Sequence, residues 1–124
     1  PYSTSARFGL VDLADVGEAS ARVHLDEAQV GATWELGGPL LVTVEDVAEA
    51  ATMVLGRRVS AVRISAEEWV ATDGAGLGDR ERDWLLRMFA YYDVHGLPVG
   101  SLALAGLLGR APYSLMETLG REVG

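Results

Sequence analysis

Apolar positions recur along the chain with two periods, one near 3.6 residues and one of 2, and the changes between them mark out elements. After the short apolar stretch Phe8–Val11, Asp12 is placed to cap a helix running to about Leu25, with Leu13, Val16, Ser20 and Val23 on one face. Ala32–Leu36 alternates and predicts a strand, closed by Gly37, Gly38 and Pro39. Thr43-Val44-Glu45-Asp46 has the form of a capping box with Asp in the usual Glu place. The helix it opens runs to Leu55 and is expected to bury Val44, Val47, Ala48, Ala51, Val54 and Leu55. Gly56 stops it, with Arg57 and Arg58 near the negative end of its dipole.

Ser60–Ile64 alternates as a second strand, and Ser65-Ala66-Glu67-Glu68 is a full capping box opening a short helix that carries Trp69. Asp73–Gly78 is a Gly-rich loop. Asp79 is placed to cap a longer helix to about Asp93, with Trp84, Leu85, Met88, Phe89 and Tyr92 on one face, ended by Gly96 and Pro98. Ser101 precedes a short apolar helix that stops at Gly109, and the capping box Ser114-Leu115-Met116-Glu117 opens a final helix. The expected fold is α/β, helix-dominated, with a small two- to three-stranded sheet from Ala32–Leu36 and Ser60–Ile64, and without a complete Rossmann domain.

Length and charge narrow the possibilities. A chain of 124 residues with 49% hydrophobic content suits one domain, residues 1–124, with a modest core. The longest apolar run, Leu102–Leu108, is too short and Gly-rich to span a bilayer, and Pro1–Arg7 lacks the apolar run of a secretory leader. A net charge of −8 opposes unassisted binding to nucleic acid or to anionic membranes. Cys is absent, which removes disulfides, thiolate metal sites and a Cys nucleophile, and a reducing cytoplasm is the simplest setting. Every basic side chain is Arg, so no Schiff-base lysine and no Tyr-x-x-x-Lys pair can form.

Few residues carry candidate chemistry. Gly74-Ala75-Gly76-Leu77-Gly78 reads G-x-G-x-G and follows a helix, whereas a pyrophosphate cradle needs G-x-G-x-x-G after a buried strand. It reads as an ordinary loop, and no cofactor-binding residue is assigned. His24 sits late in the first helix and reads as a surface residue. His95 lies at a helix end where the dipole favours its charged form, and its aromatic neighbours make it the one candidate general acid or base. No metal-ligand spacing is present. Asp12 and Asp15 are explained by capping and solvation. Tyr91 and Tyr92 diverge by about 100° on a helix, so one of them must reach a surface, a cleft or a partner.

Three passages resemble the carboxy-terminal region of NmrA-like proteins, atypical relatives of the short-chain dehydrogenases. They are the Phe8-to-Ser20 stretch with its Val11-Asp12-x-x-Asp15, the pair Gly31–Pro39 and Thr43–Ala48, and Leu55–Trp69. Leu108-Gly109-Arg110-Ala111-Pro112 is similar to the family's Gly-Arg-x-Pro ending. Gly17 departs from the usual Ala. The resemblance implies a substrate-side domain that, in complete relatives, packs against an amino-terminal Rossmann half holding NAD(P). That cofactor is expected only where such a half exists.

Without that half, exposed apolar surface is expected, and with it a homo-oligomer or protein partner, including exchange of the first segment between subunits. Three readings follow. The first is a non-catalytic module binding a partner or an apolar small molecule. The second is part of a longer NAD(P)-dependent reductase, with Trp69, Trp84, Met88, Tyr91, Tyr92 and His95 as substrate contacts. The third is a small stand-alone enzyme. An amino-terminal Pro1 amine acting as a general base, as in the tautomerase superfamily, is disfavoured by the early helix and by the resemblance.

Overall fold

The computed structural model describes residues 2–123, so the Pro1 amine lies outside the described residues. Six helices and a short 3-10 turn carry the fold: α1 Leu13–Leu25, the turn Glu27–Gln29, α2 Val44–Leu55, α3 Ala66–Ala71, α4 Asp79–His95, α5 Leu102–Leu108 and α6 Leu115–Val123. The caps follow from local chemistry. Asp12 Oδ1 accepts from the Ala14 N–H at 2.8 Å, and Thr43 and Asp46 exchange bonds in a complete capping box. Ser65 accepts from Glu68 N–H at 3.0 Å, and Ser114 and Glu117 do the same at the head of α6. At α4 the cap is Gly78 rather than Asp79: the Glu81 carboxylate reaches back to the Gly78 N–H at 2.9 Å.

The expected sheet is absent. Among the described residues strand pairing is confined to isolated bridges at Phe8, antiparallel to Val42 and parallel to Leu97. Neither Ala32–Leu36 nor Ser60–Ile64 joins a ladder. Their alternation has another cause. Trp34 and Leu36 point at the seam between α1 and α5, where Leu36 packs on the core. Just ahead of the second segment, Thr52 Oγ1 accepts from the Val59 N–H at 2.9 Å and lies 3.2 Å from the Val59 carbonyl. Alternation in these two segments marks no strand pairing, and helix dominance is the part of the expectation that holds.

Phe8 is the hub of the loops. Its N–H donates to Val42 O at 2.8 Å, its carbonyl accepts from Val42 N–H at 2.9 Å, and the Gly9 N–H donates to Leu97 O at 2.9 Å. These close approaches exclude side chains. A Cβ on Gly38 would lie 1.7 Å from Leu10 O, and Gly96, at φ 60°, has Arg7 O at 2.2 Å from the corresponding point.

Helices pack in two pairs, α1 on α5 and α2 on α6. The first pair holds the core of Ala19, Leu104 and Leu108, flanked by Val11, Leu36 and Leu107. The buried residues of α1 are Asp15 and Ala19, while Leu13, expected on the inner face, is 82% exposed. In α2, Ala48 and Ala50 are buried and Leu55 is exposed. The accessible surface is 8257 Å². A folded monomer of 13.2 kDa presents about 6,400 Å², leaving a surplus of roughly 1,800 Å². Leu13, Leu25, Val30, Leu40 and Leu102 are among the apolar side chains that make it up.

Candidate functional site

The long helix α4 organises the richest chemistry, and it has two faces. Leu85, Leu86, Phe89 and Tyr92 turn inward at helical spacing. Phe89 and Tyr92 enter an aromatic cluster with Tyr2, Phe8 and Trp69. Trp69 meets Phe89 edge-on at 5.0 Å, Phe8 meets Tyr92 edge-on at 5.4 Å, and Tyr2 lies 5.8 Å from both Phe89 and Tyr92. Such pairs contribute about 0.5–1.5 kcal/mol each beyond area burial, so the cluster fixes α4 against Trp69 of α3 and the amino-terminal segment.

Beside this cluster runs an open groove of about 520 Å³. One wall is Arg63, Ile64, Ser65 and Ala66; the other is Leu86, Phe89, Ala90 and Asp93 of α4. Its floor is apolar. At the rim Arg63 Nη2 donates to both Asp93 oxygens, at 2.9 and 3.0 Å. Both groups are partly exposed, so this pair orients more than it stabilises. Asp93 also borders a second hollow of about 460 Å³, with Arg7, Ser3, Ser5, His95 and Pro98 around it. The groove suits a flat apolar molecule, and its one carboxylate is held by Arg63.

The six residues expected to contact substrate do not converge. Trp69 is buried against Phe89, and Tyr92 is half-buried against Tyr2 and Phe8. Trp84, Met88 and Tyr91 lie on the outer face of α4, with Arg80 stacked over the Trp84 ring at 4.4 Å. His95 lines the second hollow, its ring 4.5 Å from that of Tyr91. Of the groove residues, Phe89 and Ile64 were read as apolar positions of a helix and a strand and Leu86 and Ala90 were not singled out, because Leu86, Phe89, Ala90 and Asp93 fall at ordinary core spacing. The Gly-rich loop folds back on the protein: Gly74 N–H donates to Trp69 O at 2.8 Å, and its α-carbon faces the Trp69 ring.

A second polar cluster joins α1 to the carboxy-terminal segment. Arg110 Nη2 donates to Asp15 Oδ1 at 2.8 Å and to Glu18 Oε2 at 2.6 Å, and the Tyr113 N–H donates to Asp15 Oδ2 at 2.6 Å. Asp12 accepts from Thr118 Oγ1 at 2.6 Å and pairs with Arg121. Arg110 and Arg121 both lie over the Tyr113 ring, at 4.6 and 4.3 Å. The Thr118 hydroxyl, with help from the Ala14 N–H and Arg121, holds the Asp12 carboxyl below its ordinary range against the opposing effect of burial. Arg110 does the same for Glu18, and Glu18 and Asp15 raise Arg110 in turn. Asp15 is fully buried, so solvation does not explain it. These carboxylates are locked in ion pairs and serve structure rather than proton transfer.

No family model matches the chain, and no curated protein matches it. Solved structures do. The fold is similar to an NADPH-dependent quinone oxidoreductase from Escherichia coli, with a TM-score of 0.80 at 24% identity, over 99% of this chain and 46% of that one. It is also similar to the triphenylmethane reductase of a Citrobacter species, with a TM-score of 0.76 at 20% identity, over 97% of this chain and 42% of that one. Both reductases have also been solved with their cofactors, NADPH and NADP(H). This chain thus has the fold of part of these reductases and spans just under half their length. No helix among the described residues is long and apolar enough to cross a membrane.

Proposed function

We propose that this chain is the substrate-side portion of an NAD(P)H-dependent reductase, corresponding to the carboxy-terminal region that its NmrA-like passages resemble. The hydride donor is held by a dinucleotide-binding portion, and the groove floored by Phe89 receives the acceptor. The observation that carries this reading is coverage: 99% of this chain, but 46% of the quinone oxidoreductase, shares one fold. The surplus surface supports it, since a covering portion accounts for Leu13, Leu40 and Leu102 standing in solvent. So do the two strand-like segments, which find no ladder partner among the described residues. The likeness to reductases favours this reading over a non-catalytic binding module. Trp69 acts here as a prop behind Phe89, and substrate contact falls to Ile64, Phe89 and Ala90.

The test is a pair of measurements on the full-length gene product. NADPH titration is expected to show binding by that product and none by the 124-residue chain alone. Filling the groove with Ala90→Trp is expected to raise KM for a quinone or a triphenylmethane dye about 10-fold or more, leaving NADPH affinity unchanged. Tight NADPH binding by the isolated chain, or an Ala90→Trp enzyme with unaltered KM, would refute the assignment.

A further inference from the structure

Arginine and carboxylate commonly meet fork to fork, two nitrogens on two oxygens. Arg63 meets Asp93 through one nitrogen instead: Nη2 donates to Oδ1 at 2.9 Å and to Oδ2 at 3.0 Å. Its Nη1 and Nε have no partner among the described residues. Arg110 differs, since its Nη1 donates to the Ala111 carbonyl and its Nη2 to Asp15 and Glu18. Arg63 lines the groove floored by Phe89, and its side chain is 56% exposed, so the free donors are open to a ligand. The other polar side chains of the groove are committed. Ser65 Oγ accepts from the Glu68 N–H at the head of α3, and the Asp93 carboxylate can only accept. The groove thus sets one free cationic edge beside Ile64, Phe89 and Ala90.

We propose that Arg63 binds the oxygen of the acceptor, so that the groove takes flat ring systems bearing a carbonyl or carboxylate oxygen, quinones among them. The chemistry rests on the reductase reading; the recognition of oxygen does not. Reduction of a quinone forms a C–H bond at a ring carbon with hydride from the reduced nicotinamide, which is oxidised. A π electron pair moves onto oxygen, and that oxyanion takes a proton from water. A guanidinium already in place stabilises the oxygen more as charge grows on it than in the neutral carbonyl, which is the difference that lowers a barrier. Its planar array of donors suits an oxygen in the plane of the ring. Asp93 holds the guanidinium from one side and leaves the other side free.

Binding and turnover test this separately in the full-length gene product. 1-Naphthoate, a flat ring with a fixed negative charge on oxygen, is expected to bind without cofactor, and Arg63→Met to weaken it about 10-fold or more. With NADPH, Arg63→Met is expected to lower kcat for a quinone about 100-fold, the loss that follows removal of one oxyanion donor, and Arg63→Lys to recover part of it. Reduction of a triphenylmethane dye, whose cationic carbon becomes neutral and leaves no charged oxygen, is expected to be unchanged or faster. NADPH affinity and Tm are expected to stay at their wild-type values, because an exposed pair contributes little to stability. No naphthoate binding, binding insensitive to Arg63→Met, a quinone kcat that the variant leaves unaltered, or equal losses for quinone and dye would each overturn the proposal. Naphthoate binding that depends on Arg63, with neither acceptor reduced by the wild type, would refute the reductase reading and leave the recognition of oxygen by Arg63 standing.

Discussion

Asp15 shows how much one buried carboxylate decides. It has no exposed surface, and both oxygens are used, by Arg110 and by the Tyr113 N–H. Removing it leaves Arg110 facing Glu18 alone and the Tyr113 amide without a partner. Breaking a buried pair costs about 3–5 kcal/mol, and because Arg110 is 35% exposed the low end applies, about 3 kcal/mol. Asp15→Ala is therefore expected to lower Tm by roughly 10 °C, read by thermal denaturation. The same network sets an acid limit. Asp12 and Glu18 titrate below their ordinary values of 3.8 and 4.5 when folded. Their contribution is complete above those values and is lost as pH falls through them towards the lower folded values. Tm measured against pH is expected to be level near neutrality and to fall below about pH 4.5, with Thr118→Val reducing the acid-dependent part. At this scale sequence reading was half right. Asp12 caps α1 as its position demands, but the burial of Asp15 depends on Arg110, 95 residues away, and no local pattern reports it.

At the scale of elements, the helices were legible because their start signals are local. Thr43, Ser65 and Ser114 cap the helices they were expected to cap, and Gly56 and Gly109 end theirs in the left-handed conformation. The strands were misread because alternation over five residues is a weak signal that no ladder partner backs: Ala32–Glu35 and Val62 stand exposed. α4 was read with a single apolar face joining Trp84 and Met88 to Leu85, Phe89 and Tyr92. In the fold these are two faces, and the candidate site was dispersed for that reason. Trp69 is the pivot between α3 and α4, with its ring against Phe89 and the Gly74 turn folded over it. Trp69→Ala is expected to cost about 3–5 kcal/mol and to loosen the groove, with a matching loss of near-ultraviolet circular dichroism. A variant of wild-type stability would show that the aromatic cluster does not hold α4.

The described residues present more surface than the chain's mass warrants, with Leu13, Leu25, Val30 and Leu102 among the exposed apolar side chains. On the proposed reductase reading, the 124-residue chain alone is expected to bind a hydrophobic fluorescent dye in its folded state, and a longer product carrying the dinucleotide-binding portion to bind less per molecule. Equal dye binding by the two would show that nothing in the longer product covers this flank.

The sequence by itself determined the helices and their caps, since each depends on residues within a turn or two of one another. Tertiary structure alone decided that the alternating segments do not pair with each other, that Asp12 and Asp15 close a network with Arg110 and Arg121, and that Phe89 rather than Trp84 floors the groove. Those outcomes depend on which faces meet across the chain, and pairing energies between distant segments leave no periodic mark along it.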